Sequence, residues 1–429
     1  MSIPGWWLEA RQSVAAYHQE HPVSFPGAAF GVETDETGPL TSSVGQEWRD
    51  DTICEIGSMT KAVVAAGTLL ALHEFHRLDP TIEVCTLPGM EALAESALKR
   101  KIQVQHLLQN TSGFPNIARY TDWPHTPCFG AYTGEEPVAY AGRDLGPTIP
   151  WIGAPAVTNE YVRYNGECWP ARTLPLEQVS QHVMQTYPMV HEPGAQYSYS
   201  TANYIVAARI IEALSGKPAN IYIKEKILKP LGMRDSFFVA VPPEDGFGDQ
   251  INEGISQAQL DRVADVTVIT QDGEMPPEIS PGPSGRWDKL REGWSYIYPD
   301  GGMYSTVGDL LTFLRMLRHG GAGSKQVLPE RVVRFMIEDQ GFGHTLGFGF
   351  RRGASIHGRH EGVLEHLGHQ MTYFWLDAHA DRPLMGVFLS QRLPNIQVNT
   401  NMGDGLRVIF RHFLPVVKRG VAAGFEPVV

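Results

Sequence analysis

The first 50 residues show two different periodicities of apolar and polar positions. Residues 5 to 20 carry apolar side chains at helical spacing, whereas the segments AAFGVETD and PLTSSVGQEW alternate around turn residues. The first rhythm predicts a helix, and the second predicts a hairpin of two antiparallel strands. A helix laid on an antiparallel sheet is therefore expected at the start of the chain.

Helical spacing returns several times through the middle of the chain. The longest apolar run, EIGSMTKAVVAAGTLLALHEF, begins at Glu55, and further helical segments are LEQVSQHVMQTY, NYIVAARIIEALSG and PANIYIKEKIL. Gly216 is expected to end the helix of NYIVAARIIEALSG. TVGDLLTFLRMLRHGG is expected to form a helix with Thr306 and Asp309 at capping-box spacing. The chain closes with strand-like MTYFWLDAH and PLMGVFLSQR and a last helix near 402 to 413.

Strand segments at both ends with helices between them predict an α/β (α+β) fold. One domain, residues 1–90 plus 290–429, would hold an antiparallel sheet flanked by helices. Residues 91–289 would form a mostly helical inserted domain. Within it, residues 116–175 are rich in Pro, Gly and aromatic residues. Such a long segment is either a lid or wall of a binding site or an insertion that packs on the surface, and both readings stay open.

Composition narrows the class of protein. With 429 residues, 42% hydrophobic and 19% charged, the chain is expected to be globular. Its net charge of −12 argues against a nucleic-acid partner, which would need clustered Lys and Arg. No uncharged apolar run reaches the length of a membrane span, and the amino end has no secretory pattern, so a cytoplasmic protein is expected. The four cysteines lack a C-x-x-C pair, which predicts neither a zinc site nor disulfides: Cys54, Cys85, Cys128 and Cys168.

A serine followed three residues later by a lysine occurs twice, as Ser58 with Lys61 in SMTK and as Ser96 with Lys99 in SALK. Ser96 lies in EALAESALKRK, a polar segment with helical spacing whose lysine is most simply on a solvated face. Ser58 instead opens the strongly apolar helix. There its hydroxyl would lie near the free N–H groups of the first turn, which stabilise developing negative charge.

A serine hydroxyl becomes a good nucleophile only when a neighbour takes its proton, and a buried lysine can take part in that transfer. Ser58 and Lys61 are spaced to contact each other on one helix face. Considered alone, the pair could also be a helix cap and a snorkelling lysine. Other segments must therefore decide between the two readings.

The segment HEPGAQYSYSTANY places Tyr199 six residues after Pro193, in a turn that enters a helix. With the segments HLLQNTSGFP, LKPLGMRDSFF, PDGGMYSTVGDLLTFL and LGFGF, it forms an ordered set from about residue 50 to 390. This set resembles the serine β-lactamase and penicillin-binding-protein superfamily, nearest the class C β-lactamases and the β-lactamase-like carboxylesterases. The resemblance implies that Ser58 is acylated, that Lys61 activates it and that Tyr199 is the second proton carrier. Tyr197 and Tyr204 are the local alternatives to Tyr199.

The sequence departs from that superfamily at two points. Where most members have Lys-Thr-Gly, this chain has His366, Leu367 and Gly368, followed by His369. A histidine there is common in the esterase-like branch, and the missing lysine removes a positive charge that would hold a β-lactam carboxylate. The resemblance implies that the backbone N–H of His369 joins that of Ser58 in an oxyanion hole. Thr201 stands where many relatives have asparagine, which weakly favours ester over amide chemistry.

These features together predict a serine hydrolase that forms an acyl-enzyme on Ser58, most simply a carboxylesterase acting on a small to medium ester. An acyltransferase of the same fold is the main alternative, followed by a β-lactamase or D-peptidase and by a ligand sensor without turnover. No cofactor and no metal are expected, because the histidines near the last motif match no metal-binding spacing: His357, His360, His366 and His369. A set of aromatic residues could line the substrate pocket: Trp287, Trp294, Tyr296 and Tyr298.

Overall fold

A computed structural model describes residues 3–22, 24–114, 161–164, 167–170, 175–239, 255–265, 267–268, 278–279, 297–323, 325–352, 362–368, 370–377, 384–393 and 407–423. In these ranges the α-helices are α1 Gly5–Glu20, α2 Thr60–Phe75, α3 Val104–Leu108, α4 Leu176–Thr186, α5 Thr201–Ser215, α6 Ala219–Ile223, α7 Lys229–Leu231, α8 Gln257–Leu260, α9 Val307–Arg318, α10 Glu330–Ile337 and α11 Leu414–Ala423. The strands are β1 Ala28–Thr34, β2 Gly38–Val44, β3 Cys54–Glu55, β4 Tyr161–Tyr164, β5 Glu167–Pro170, β6 Phe237–Phe238, β7 Thr267–Val268, β8 Glu278–Ile279, β9 Met303–Ser305, β10 Gly349–Arg352, β11 Gly362–Gly368, β12 Thr372–Leu376, β13 Leu384–Leu389 and β14 Arg392–Leu393.

The largest sheet has six strands in the order β10-β11-β12-β13-β1-β2, and every neighbouring pair is antiparallel. The strands β1 and β2 form the hairpin that the alternating pattern predicts. Strand β1 then pairs with β13 from the other end of the chain, with Phe30 opposite Phe388. The predicted antiparallel sheet with flanking helices is therefore confirmed. The division of the chain into two domains stays a prediction.

Both faces of this sheet are covered, which explains why its central strands are almost entirely apolar. On β12, Tyr373 and Trp375 pack with α1, α11 and the π-helical turn Val408–Phe413 before it, whereas Phe374 and Leu376 pack into the larger core on the other face. Side chains alternate between faces with a period of two, so a strand covered on both sides needs apolar residues at every position. The helices α1 and α11 thus cover one face, and α9 lies against the other.

Helix α2 is the centre of the larger core. Thirteen of its sixteen residues are buried, including Lys61, and it packs along α5. A helix surrounded by protein needs no polar face, which is why the run from Glu55 has so few polar positions. At Gly67 the approach is close enough that an added Cβ would press on Ile211 and Ile223.

Two sequence predictions are wrong in detail. The segment EALAESALKRK forms separate 3₁₀ turns, Glu91–Glu95 and Lys99–Lys101, and Lys99 is only 6% exposed instead of lying on a solvated face. The last helix runs later than expected, to Ala423. It passes Pro415, the second residue of α11, which directly follows the π-helical turn Val408–Phe413.

The remaining helix predictions are confirmed for α1, α4, α5, α6 and α9. Thr306 caps α9, since its hydroxyl accepts a hydrogen bond from the backbone N–H of Asp309 at 3.2 Å. Gly216 adopts the left-handed conformation after α5, with φ of 66°. Among the described residues, no helix is both long enough and apolar enough to cross a membrane.

Candidate active site

Ser58 lies in a tight turn that strand pairing holds in place. Strand β3 pairs with β9, and beyond it the N–H of Ile56 donates to the carbonyl of Met303 at 2.9 Å. Gly57 follows with φ of 57°, a conformation that favours glycine, and begins the 3₁₀ turn Gly57–Met59 that continues into α2. The hydroxyl of Thr60 accepts a hydrogen bond from the N–H of Met303. The turn therefore presents Ser58 at the N-terminal end of a buried helix.

Lys61 reaches back to Ser58 from the first turn of α2. Its Nζ lies 3.2 Å from Ser58 Oγ, and the side chain is fully buried. The same ammonium lies over the ring of Tyr199, 4.7 Å from its centre, and over the ring of Tyr204 at 5.5 Å. Ser58 and Lys61 thus make the contact that their spacing predicts.

Tyr199 completes the cluster from a distant part of the chain. Its hydroxyl is 2.6 Å from Ser58 Oγ, although 141 residues separate the two. The two alternative tyrosines have other partners. Tyr204 donates a hydrogen bond to the carbonyl of Leu108, and the Tyr197 ring stacks on the ring of His344. Tyr199 is therefore the tyrosine that contacts the serine.

The loop after α3 holds the Tyr199 segment in position. Asn110, with φ of 58°, accepts hydrogen bonds on its side-chain oxygen from the N–H of Ser200 at 3.2 Å and from the Asn203 amide at 3.0 Å. Its carbonyl accepts a hydrogen bond from the N–H of Ser198. The Ser112 hydroxyl donates to Asn203 at 2.6 Å. These buried bonds flank Tyr199 on both sides and explain structurally why the segment HLLQNTSGFP accompanies the tyrosine.

The sequence gives little signal for one further member of the site, Asp300. Its backbone carbonyl accepts a hydrogen bond from Lys61 Nζ at 2.6 Å, and its carboxylate lies 3.3 Å from the same nitrogen. The side chain is 1% exposed. PDGGMYS resembles a turn before a strand, and nothing in that pattern indicates that the aspartate faces a lysine 239 residues away. Tyr298 hydrogen-bonds this carboxylate, and its expected place in a pocket wall stays a prediction.

Burial by itself would lower the pKa of Lys61. The negative charges that Tyr199 and Asp300 can carry, together with their hydrogen bonds, outweigh burial, so the pKa of Lys61 lies above its ordinary value. Burial raises the pKa of Asp300, and the nearby ammonium of Lys61 opposes that rise. Burial thus opposes charge on both groups, and their mutual contact favours it; for Lys61 the contacts outweigh burial, and for Asp300 they do not.

The end of β11 lies directly against the nucleophile turn. An added Cβ at Gly368 would overlap Thr372 Oγ1 and the carbonyl of Ile56, and Thr372 donates a hydrogen bond to that carbonyl at 2.8 Å. His366 lies two residues earlier and so on the same strand face. Burial, with the positive charge of Lys61 as the next cause, lowers the pKa of His366 to about 3, so its imidazole is neutral.

The remaining predicted site residues are less well connected. Thr201 begins α5, and its buried hydroxyl makes no hydrogen bond to the described part of the chain. His369, Trp287, Trp294 and Tyr296 lie outside the described residues, as do His357 and His360. Across the described ranges, no group of three or more His, Cys, Asp or Glu side chains could hold a metal ion.

Two exposed aromatic side chains lie in the segments that the contact between Tyr197 and His344 brings together. Tyr197 is 40% exposed, two residues before Tyr199, and its ring stacks on His344 at 4.5 Å. Phe342, in the same loop as His344, is 50% exposed and has φ of 57°. A bulky residue in the left-handed region is uncommon and is often found at functional sites. Tyr197 therefore presents an exposed ring two residues from Tyr199.

Comparison with protein families agrees with this geometry. The family model described as Beta-lactamase matches residues 13–407, most of the chain. The chain belongs to the Beta-lactamase family. Among curated relatives of this Beta-lactamase family member, a protein of Escherichia coli (strain K12) named "Putative D-alanyl-D-alanine carboxypeptidase" is 22% identical over 333 residues. The match covers 75% of this chain and 64% of that relative, so this chain spans less than two thirds of the relative's length.

Solved structures show the same fold at low sequence identity. EstCE1, described as a hydrolase with promiscuous acyltransferase activity, superposes with a TM-score of 0.64 at 16% identity, covering 97% of this chain and 98% of that chain. The LovD6 mutant of simvastatin synthase (LovD) from Aspergillus terreus has a TM-score of 0.62 at 15% identity, covering 98% of both chains. D-amino acid amidase from Ochrobactrum anthropi SV3 has a TM-score of 0.60 at 17% identity, covering 96% of this chain and 99% of that one. The β-lactamase/transpeptidase-like fold of this Beta-lactamase family member is therefore shown.

Proposed function

We propose that this protein is a serine hydrolase that forms an acyl-enzyme on Ser58 and acts as a carboxylesterase. The observation that carries the proposal is the contact of Ser58 Oγ with both the Tyr199 hydroxyl, at 2.6 Å, and Lys61 Nζ, at 3.2 Å. A serine with two such partners at a helix N-terminus has the parts that acyl transfer needs, which are a nucleophile, a proton carrier and a nearby positive charge.

In the proposed reaction the proton of Ser58 passes to the Tyr199–Lys61 pair while Oγ forms a bond to the carbonyl carbon of the substrate. Collapse of the tetrahedral intermediate breaks the bond between the carbonyl carbon and the leaving oxygen, which takes a proton back from the pair. Water then attacks the acyl-enzyme in the same way. It releases the acid and restores the Ser58 hydroxyl. The backbone N–H groups of Ser58 and His369 stay proposals for the oxyanion hole.

The charge of the site favours neutral substrates. His366 is uncharged, and the positive charge of Lys61 is already balanced by the carboxylate of Asp300 at 3.3 Å. A D-peptide or a β-lactam brings a carboxylate that needs a cation. A neutral ester needs none, and the exposed ring of Tyr197 would contact its apolar part.

Acyl transfer to an alcohol or amine is the second candidate. It is supported by the likeness to EstCE1, which is described as having promiscuous acyltransferase activity, and to simvastatin synthase. The chemistry differs from hydrolysis only in the group that attacks the acyl-enzyme, so Ser58, Lys61 and Tyr199 would have the same roles. The D-peptidase reading rests on the name of the relative from Escherichia coli and is less compatible with the charge of the site.

The test is a comparison of substrates with wild type and Ser58→Ala. The panel contains p-nitrophenyl esters of increasing chain length, a D-alanyl-D-alanine peptide, a D-amino acid amide and a chromogenic cephalosporin, each with and without an added alcohol. We expect ester turnover that disappears in Ser58→Ala and low turnover of the three other substrates. An alcohol-dependent transfer product would favour the acyltransferase. Preference for the peptide or the cephalosporin over every ester would overturn the carboxylesterase proposal.

A further inference from the structure

We propose that Asn110 is a positioning residue for the proposed reaction. Its side chain sets the place of Tyr199, and through it the contact of the Tyr199 hydroxyl with Ser58. The inference rests on the proposed acyl-enzyme chemistry at Ser58 and on the role of Tyr199 in it. It starts from hydrogen bonds that join this one residue to the chain immediately before and immediately after Tyr199.

Two hydrogen bonds to Asn110 bracket Tyr199. The N–H of Ser198 donates to the backbone carbonyl of Asn110 at 2.7 Å. The N–H of Ser200 donates to the side-chain oxygen of Asn110 at 3.2 Å. Tyr199 is the residue between the two donors. A single residue therefore holds the backbone on both sides of the tyrosine, one side through its own backbone and the other through its side chain.

The segment around Tyr199 depends on such bonds because it has no regular structure of its own. Residues 197–200, all of which the structure describes, belong to no helix or strand, and α5 begins only after them. Backbone N–H groups outside a helix or sheet must find their acceptors elsewhere. The loop that contains Asn110 supplies them, since the N–H of Gly194 also donates to the carbonyl of Thr111 at 2.8 Å. This loop therefore sets the path of the chain through Tyr199.

The backbone conformation of Asn110 does not by itself explain why an asparagine is useful here. Its φ of 58° is left-handed, which asparagine tolerates and glycine adopts freely at the end of a helix. What asparagine adds is an amide oxygen with two lone pairs. Both are used, because the side-chain amide of Asn203 donates to the same oxygen as the N–H of Ser200, at 3.0 Å. The amide oxygen is thus the part that serves the distant segment.

The amide of Asn110 is held in a fixed orientation by a buried network. The Ser112 hydroxyl donates to the side-chain oxygen of Asn203 at 2.6 Å, which turns the Asn203 amide nitrogen toward Asn110. All three side chains are buried, and Asn110 is only 4% exposed. A connected polar network of this kind is rigid. Asn110 would therefore act on the reaction through Tyr199 and not by contact with the substrate.

The contact between Tyr199 and Ser58 is sensitive to small displacements. The two hydroxyl oxygens are 2.6 Å apart and come from segments 141 residues apart. Loss of the Asn110 side chain leaves the bond from Ser198 in place and releases the N–H of Ser200. Tyr199 would then shift without leaving the site. A misplacement of about 1 Å can cost about a hundredfold in rate.

The test is steady-state ester hydrolysis by Asn110→Gly. Glycine keeps the left-handed conformation and the backbone carbonyl and removes only the side-chain acceptor. We expect kcat to fall about 10- to 100-fold, the cost of a small misplacement, while KM stays close to that of wild type. Asn110→Asp keeps an oxygen acceptor in either protonation state and should recover most of the lost kcat. An unchanged kcat in Asn110→Gly, or an Asn110→Asp enzyme that is equally slow, would overturn the inference.

Thr68→Val is the matched control for the loss of buried hydrogen bonds in general. The Thr68 hydroxyl is buried between α2 and α5, where it donates to the carbonyls of Val64, at 2.9 Å, and Ala207, at 3.2 Å. Its removal should lower the stability of the protein and leave kcat unchanged. A loss of kcat as large as that of Asn110→Gly would attribute the effect to destabilisation and contradict the inference.

The sharpest comparison is made in the Tyr199→Phe background. If Asn110 acts through the Tyr199 hydroxyl, little is left for its loss to disturb once that hydroxyl is gone. Asn110→Gly should therefore lower the kcat of Tyr199→Phe by a much smaller factor than it lowers the kcat of wild type. A merely structural role of Asn110 would give the same factor in both backgrounds, and that result would overturn the inference.

A spectroscopic measurement without turnover separates this inference from the proposed function. The ¹³Cζ resonance of Tyr199, assigned with Tyr199→Phe in protein labelled at tyrosine, reports the hydrogen bonding of the hydroxyl. We expect it to shift in Asn110→Gly and to stay in place in Thr68→Val. An unshifted resonance in Asn110→Gly would overturn the inference. If the resonance shifts but wild type never becomes acylated on Ser58, the proposed function fails while the positioning of Tyr199 by Asn110 stands.

Discussion

The chain contains the Ser-x-x-Lys pattern twice, at Ser58–Lys61 and at Ser96–Lys99. The structure gives the two copies different surroundings. Lys61 Nζ contacts Ser58 Oγ, Tyr199 and Asp300. Lys99 Nζ instead donates hydrogen bonds to the carbonyls of Met184, at 2.7 Å, and Gln185, at 3.0 Å. These carbonyls belong to the last turn of α4, where a lysine is a favourable cap.

The difference shows that the serine–lysine spacing does not make a site by itself. The backbone N–H of Lys99 lies 3.4 Å from Ser96 Oγ, so Ser96 serves a local turn. Burial lowers the pKa of Lys99 to about 8, whereas the pKa of Lys61 is raised because Tyr199 and Asp300 outweigh burial. What distinguishes the first copy is the set of partners that come from far along the chain.

The largest expected effect separates the two serines. Ser58→Ala should lower kcat/KM for esters by at least about a thousandfold, because no other group takes over from a lost nucleophile. Ser96→Ala should stay within about twofold of wild type. Steady-state kinetics on one p-nitrophenyl ester checks both variants. If kcat/KM falls equally in the two, Ser58 and Ser96 are not distinguished as proposed.

The tyrosines give the next largest contrast. Tyr199→Phe removes the hydroxyl in contact with Ser58 and should lower kcat about 10²- to 10⁴-fold, the usual contribution of general acid–base catalysis. Tyr197→Phe keeps a ring to stack on His344, so its kcat should change little. The rates are compared at saturating ester. A Tyr199→Phe enzyme with wild-type kcat would exclude this tyrosine as the proton carrier.

Substitution of Lys99 should affect stability, and substitution of Lys61 should affect turnover. Lys99→Met leaves two helix-end carbonyls without their donor, and we expect a loss of about 1 to 3 kcal/mol in the free energy of unfolding. Its kcat/KM should be unchanged. Lys61→Met should abolish turnover while the protein stays folded. Urea denaturation and kinetics on both variants test this; loss of turnover in Lys99→Met without loss of stability would contradict it.

The smallest effect concerns His182, which lies beside Lys99. Burial, and next the charge of Lys99, lower the pKa of His182 to about 4. The unfolded chain binds a proton here near pH 6.5, so this histidine makes the folded state less stable as pH falls toward 4. When the pH falls from 6.5 to 5.5, the free energy of unfolding should fall by about 1 kcal/mol less in His182→Gln than in wild type. Urea denaturation at the two pH values measures this difference. If wild type and His182→Gln lose the same free energy of unfolding between them, the assignment is contradicted.

Local patterns predict much of this molecule because they reflect local physics. The helical spacing of residues 5 to 20 and the alternation around β1 and β2 both appear as predicted. The separation of Ser58 from Ser96 also follows from the apolar run after the first serine. Asp300 and the burial of Lys99 could not be predicted in the same way. Their partners lie 239 and 85 residues away, and no periodicity records such contacts.

The most direct test of the central claim is to trap the acyl-enzyme. Wild type and Tyr199→Phe are mixed with a slowly hydrolysed p-nitrophenyl ester, quenched in acid, digested and analysed by mass spectrometry. The account predicts one acyl adduct on the peptide that contains Ser58, none on the peptide that contains Ser96, and slower labelling in Tyr199→Phe. An adduct on another residue, or turnover that persists in Ser58→Ala without any adduct, would contradict it.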